Sequence, residues 1–168
     1  MSIIGSGAGA TTPAQEDLAE QLGEAAVNAG FRICCGGLGG IMAAACRGAR
    51  GAARYTEGDT IGILPGRSHS DANPSVDIAI PTELGYARNM LVVMAGHVVV
   101  AVAGRSGTLS ELALAWQIGR PVIALSPAGG WSARLAGQAL DDRRPDTIHD
   151  ARTPQQAVAL ALRLAGAP

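Results

Sequence analysis

The chain contains no lysine: all thirteen of its basic residues are arginine. That absence removes the P-loop kinases, whose Gly-Lys-Ser/Thr motif needs the ammonium group, and every enzyme that forms a Schiff base or holds pyridoxal phosphate on a lysine. Aromatic residues are scarce, at 3% of the chain against an apolar share of 48%, so the expected core is built from Ala, Val, Leu and Ile with close glycine contacts. A formal net charge of −1 argues against a nucleic-acid groove or a membrane-surface protein. Cys34 and Cys35 are adjacent and Cys46 stands apart, a spacing that fits neither a disulfide framework nor a zinc site. Three buried thiols in a reducing cytoplasm are expected. No basic-then-apolar leader opens the chain, and Gly96-His97 interrupts its longest apolar stretch; neither a secretion signal nor a membrane span is read.

What is present alternates between strands and helices. Apolar runs at Ser2–Ile4, Phe31–Cys35, Asp59–Leu64, Val76–Ile80, His97–Val102 and Pro121–Leu125 read as strands, with a short last one at Thr147–His149. The run Val98–Val102 is continuous and mostly β-branched, as expected of a strand buried on both faces of a parallel sheet. Between the strands lie helices: one capped by Thr12-Pro-Ala-Gln15 and ended by Gly30, an Ala-rich one from Ile41, one opening at Thr82 with Arg88 and Asn89 in its early turns, one from Thr108, a weaker one over Trp131–Leu140, and one from Thr153-Pro-Gln-Gln156 to Ala165. Arg67–Ser75 reads as an exposed loop and Asp141–Asp146 as a solvated connection. The 168 residues fit one domain, 1–168, of three-layer, doubly wound, mainly parallel Rossmann-like α/β architecture.

Three glycine turns follow buried strands and precede helices. Gly5-Ser-Gly-Ala-Gly-Ala10 satisfies G-x-G-x-x-A, but the second strand ends in Cys35-Gly36 instead of the acidic residue that a dinucleotide fingerprint requires, so NAD or FAD is not assigned. Gly36-Gly-Leu-Gly-Gly40 carries four glycines in five residues, more than one tight turn needs, and Gly36, Gly37, Gly39 and Gly40 are read as backbone approaching a ligand. Gly104-Arg-Ser-Gly-Thr108 leads into a helix whose N-terminus suits phosphate, which makes Gly104, Arg105, Ser106, Gly107 and Thr108 candidates for binding it. In a doubly wound sheet all these turns open on one edge. Arg88 can pair with phosphate bidentately there, beside Asn89. Glu111 can accept hydrogen bonds from ribose or pterin N–H and hydroxyl groups, or stabilise an oxocarbenium-like transition state. His69, His97 and His149 share no motif, and no Ser-His-Asp or metal-binding constellation is found.

Taken in order, Gly36-Gly-Leu-Gly-Gly-Ile-Met42, Ile61-Gly-Ile-Leu-Pro-Gly66, Val76-Asp-Ile-Ala-Ile-Pro-Thr82, Gly85-Tyr-Ala-Arg-Asn89 and Gly104–Glu111 resemble the Rossmann-like Lonely Guy (LOG) and molybdenum-cofactor-carrier superfamily, once labelled "lysine decarboxylase". That old label fails here for want of a lysine. LOG enzymes cleave the N-glycosidic bond of nucleoside 5′-monophosphates such as cytokinin ribosides and AMP. Their P-G-G-x-G-T-x-x-E signature falls on Ala103–Glu111, matched at Gly107, Thr108 and Glu111 and departed from at Ala103 and Arg105. Their catalytic Arg-Lys pair falls on Arg88-Asn89. The carrier proteins look closer over Ile63–Glu111. The resemblance therefore implies a cytoplasmic protein holding a phosphorylated pterin or nucleotide, with molybdenum cofactor as cargo and no cofactor needed for turnover. The alternative is a LOG-type phosphoribohydrolase with Arg88 and Glu111 as its catalytic pair. A homodimer or homotetramer is implied, with no nucleic-acid or membrane partner.

Overall fold

The structure, a computed structural model, describes residues 1–166, so the last two residues of the expected domain 1–168 lie outside the described residues. Strands run over Ser2–Gly5 (β1), Ile33–Cys35 (β2), Thr60–Leu64 (β3), Ile78–Pro81 (β4), Val99–Val102 (β5), Val122–Leu125 (β6) and His149–Ala151 (β7). They form one sheet in the order β4-β3-β2-β1-β5-β6-β7, and every pair is parallel. Strand order therefore reverses between β1 and β5. In open α/β sheets the loops beyond the carboxyl ends of the strands part at such a reversal and leave a crevice.

The helices are Pro13–Asn28 (α1), Ile41–Gly51 (α2), Asn89–Ala95 (α3), Ser106–Gln117 (α4), Gly130–Leu135 (α5) and Pro154–Leu164 (α6). Successive strand residues supply opposite layers of core, as the two-residue period dictates. Ile3, Cys35, Val98, Val100 and Ile123 meet Leu22 and Ala26 of α1, Ala45 of α2 and Ala161 of α6. Ile4, Cys34, Val99 and Ala101 meet Val92 of α3 and Leu112 and Trp116 of α4. The Ala-rich composition has a concrete purpose between α1 and α2. A β-carbon on Gly23 would lie 1.9 Å from the Ala45 carbonyl oxygen, and one on Gly48 would lie 1.8 Å from that of Glu20, so these helices touch backbone to backbone.

Several boundaries differ from the sequence reading. The helix expected from Thr82 is a 3₁₀ turn over Gly85–Arg88 followed by α3, so Arg88 sits on the turn and Asn89 begins the helix. Helix α5 stops at Leu135, before the expected Leu140, and β7 lies two residues later than Thr147–His149. Strand β4 begins at Ile78 rather than Val76, and as an edge strand it leaves Ile78 and Ile80 each 44% exposed. The connection Asp141–Asp146 is not merely solvated: Asp141 accepts the Trp116 indole N–H at 2.8 Å, and the Arg144 guanidinium lies 4.7 Å over the same ring. It closes the edge of the core over a tryptophan whose N–H would otherwise lack a partner.

Candidate functional site

A cavity of about 180 Å³ opens at the reversal between β1 and β5. The loop after β1 forms one wall through Ser6 and Gly7, and the start of α4 forms another through Gly107, Thr108 and Glu111. The third wall follows from topology. To travel from the edge strand β4 to the central strand β5, the chain must cross the carboxyl edge of the sheet above β3, β2 and β1. That crossing carries Tyr86, Arg88 and Asn89 onto the cavity, together with Gly36 at the end of β2 and Met42 in the first turn of α2.

Two bonds hold the loops in register. The Ser6 hydroxyl accepts the Gly104 amide hydrogen at 3.2 Å, and the Ser6 carbonyl accepts the Ile41 amide hydrogen at 3.0 Å. Ala103 and Gly104 have φ of 57° and 108°. This left-handed pair swings the chain sharply out of β5 into α4, and for alanine the conformation costs roughly 1–2 kcal/mol. Helix α4 has no side-chain cap and no acidic residue in its first turn, so its first amides and positive dipole end are left to other partners.

At the floor, Arg88 Nη1 lies 3.8 Å from Glu111 Oε1, with side chains 10% and 9% exposed. Nη1 also donates to Asn89 Oδ1 at 2.5 Å, and Nη2 donates to the Gly36 carbonyl at 3.4 Å. Among the described residues, the buried Nε–H of Arg88 has no acceptor. A charged donor left bare in the interior is costly. Glu111 is pushed up from 4.5 to about 7: burial disfavours its charged form, and the nearby Arg88 cation offsets that only in part.

The expected site residues divide into four groups. Gly36, Arg88, Asn89, Arg105, Gly107, Thr108 and Glu111 line the cavity together, and Gly104 lines a second one beside it. Ser106 lies on neither wall. Gly37, Gly39 and Gly40, read as backbone approaching a ligand, line neither cavity, and the β-carbon side of each packs on protein. A β-carbon on them would meet Leu64 at 2.6 Å, Ala8 at 2.8 Å and the Ser6 carbonyl at 2.5 Å respectively. The Asn73 side chain further ties down the Gly37 and Leu38 carbonyls, at 3.1 and 3.0 Å. The glycines of this turn serve close packing, and Arg67–Ser75, read as an exposed loop, supplies the residue that pins it. Ser6, Gly7, Met42 and Tyr86 line the site without having been singled out. The G-x-G-x-x-A pattern was the one signal for the first two.

A parallel, doubly wound sheet with its cavity at the strand-order reversal defines the Rossmann-like α/β proteins, which bind their ligands at that edge. Within that class, the profile of the SLOG cluster4 family matches residues 1–158, and the chain belongs to this family. It is similar over 96% of its length to the crystal structure of TM1055, a structural-genomics target, at 30% identity with a TM-score of 0.86 and 97% of that chain covered. It is also similar to the molybdenum cofactor binding protein of the phototrophic bacterium Rippkaea orientalis, at 33% identity and a TM-score of 0.77, covering 95% of this chain and 92% of that one. The Moco carrier protein of Chlamydomonas reinhardtii matches at 30% identity and a TM-score of 0.79, over 97% of this chain and 94% of that one. These likenesses agree with the LOG and carrier superfamily read from the motifs.

Proposed function

We propose that this protein is a carrier that binds and holds a phosphorylated pterin, with molybdenum cofactor as its cargo. The observation that carries the reading is the buried Arg88 Nε–H without an acceptor, on a cavity that also holds Arg105 and the uncapped start of α4. These donors suit a phosphate group. Glu111 offers what a pterin needs on its other side, an acceptor for ring N–H groups. The likeness to the carrier proteins of Rippkaea and Chlamydomonas supports the pterin over other phosphate esters.

One observation favours a second reading, a LOG-type nucleoside 5′-monophosphate phosphoribohydrolase. A carboxyl raised to about 7 beside an arginine is poised to exchange a proton near neutral pH. The two readings separate in one assay. The protein is incubated with molybdenum cofactor, and in parallel with AMP. Retention of one pterin per subunit with no adenine released supports the carrier. Adenine release that disappears in Glu111→Ala establishes the hydrolase and overturns the carrier.

The carrier is proposed to work as a homodimer or homotetramer. Ile78 and Ile80 are exposed on the edge strand β4, Leu84 just beyond it, and Leu91 and Met94 on α3; a second copy covering them would remove them from water.

A further inference from the structure

A second cavity, of about 320 Å³, adjoins the first at the β1/β5 reversal, and the two share Ser6 and Arg105 as a common wall. It is further lined by Ala10, Thr11, Gly104 and Gly130. Ligand pockets usually span about 300–1,000 Å³. The first cavity, at about 180 Å³, falls below that range and the second sits at its floor. Joined, the two fall inside it.

The wall between them is built to meet anionic oxygen. Arg105 is exposed, and among the described residues no carboxylate pairs with it. Ser6 is 5% exposed and accepts from the Gly104 amide, which leaves its own proton to be donated across the wall. The glycines of the β1 loop divide as a phosphate-binding loop requires. A β-carbon on Gly5 would strike the Val102 carbonyl oxygen at 2.5 Å, so Gly5 is demanded by the fold. Gly7 and Gly9 have nothing within 4 Å of that position, and neither has Gly107 opposite. In dinucleotide-binding loops the first glycine makes the tight turn and the second lets a diphosphate approach the backbone. The missing acidic residue at the end of β2 is also explained: Gly36 there receives Arg88, which approaches so closely that a β-carbon would lie 2.4 Å from Nη2. The ribose clamp of nicotinamide dinucleotides has no room at this point.

We propose that the ligand is two-armed, a dinucleotide-type molecule whose diphosphate crosses the wall at Ser6, Gly7 and Arg105 with one arm in each cavity. This rests on the reading that the first cavity takes a phosphorylated ligand, and it names the chemical class of that ligand.

Isothermal titration with AMP and with diadenosine diphosphate (two adenosines joined 5′ to 5′ through a diphosphate) tests it. Wild-type protein is expected to bind the two-armed probe at least about tenfold more tightly than AMP, equivalent to about 1.4 kcal/mol. Ala10→Phe fills the second cavity from its rim and is expected to abolish that excess while leaving AMP affinity within about twofold. Thr11→Trp repeats the test from a neighbouring position should the first variant not fold. Equal affinities in the wild type, an excess that survives both fillings, or no binding of either probe overturns the two-armed ligand. The single-armed carrier is judged separately, by retention of molybdenum cofactor, so the two failures are distinguishable.

Discussion

Arg88 and Glu111 reach the same cavity from opposite sides of β5 in the sequence, one on the crossover that enters it and one on the helix that leaves it. Their charged atoms lie 3.8 Å apart with both side chains about nine-tenths buried. The pair is incomplete as a salt bridge. Arg88 keeps one N–H without an acceptor, and burial holds Glu111 at about 7 despite the cation. A pair built for stability alone would close both gaps, whereas a pair awaiting a ligand leaves them open.

The raised Glu111 makes stability fall as pH rises. Between its ordinary value of 4.5 and about 7, the folded protein holds a proton that the unfolded chain has already released. The stabilisation is thus complete below about 4.5 and lost by about 7. Urea midpoints measured from pH 4.5 to 8 should decline across this window, by roughly 3 kcal/mol if the whole shift is expressed. Glu111→Gln should flatten the profile. An unchanged slope in that variant would mean that Glu111 titrates normally.

Arg88→Met leaves the buried carboxyl without its cation. At pH 8 the loss should be on the order of 3–5 kcal/mol. At pH 6 it should be smaller, because Glu111 can stay protonated. Arg88→Met combined with Glu111→Gln should recover part of the loss at pH 8. A double-mutant cycle at both pH values measures the coupling, and additivity at pH 8 would contradict it.

Two glycines separate binding from folding. Gly36→Ala places a β-carbon 2.4 Å from Arg88 Nη2. The buried arginine and Met42 Sδ, 2.8 Å from the same point, must both give way, so stability should fall by about 1–3 kcal/mol, while affinity for molybdenum cofactor should fall about tenfold or more. Gly48→Ala places one 1.8 Å from the Glu20 carbonyl oxygen. It forces α1 and α2 apart and should destabilise by about 1–3 kcal/mol or more, with affinity retained in the folded fraction. Thermal melts paired with titrations read both effects.

The fold was legible because its signals are local. The β-branched run Val98–Val102 became the buried β5, and Thr12-Pro-Ala-Gln15 closed the capping box it spelled, with bonds of 3.0 and 3.3 Å. That Arg88 and Glu111 would meet at one cavity was legible because their motifs stand at strand-to-helix corners, which the parallel sheet brings to one edge. The role of Gly37, Gly39 and Gly40 was not legible. A glycine facing a ligand and a glycine facing Ala8 or Ser6 read alike until the neighbouring loop is in place. Asn73 and Tyr86 were missed because each acts far from its own place in the sequence, Asn73 on the Gly37 and Leu38 carbonyls and Tyr86 on the cavity wall. The edge-strand exposure of Ile78 and Ile80 depends on what covers β4, which alternation along one strand does not reveal.

That uncovered edge makes its own prediction. Sedimentation should report a dimer or larger assembly, and Ile80→Arg, which buries charge in the proposed contact, should shift it to monomer. A wild-type monomer would remove the second copy from the account.

Native mass spectrometry of the protein purified from a host that makes molybdenum cofactor reads the cargo on intact subunits. One phosphorylated pterin per subunit is expected, lost in Arg88→Ala, with AMP left intact by the same preparation. Subunits that carry no pterin even after incubation with the cofactor, or a preparation that converts AMP to adenine, would contradict the carrier reading.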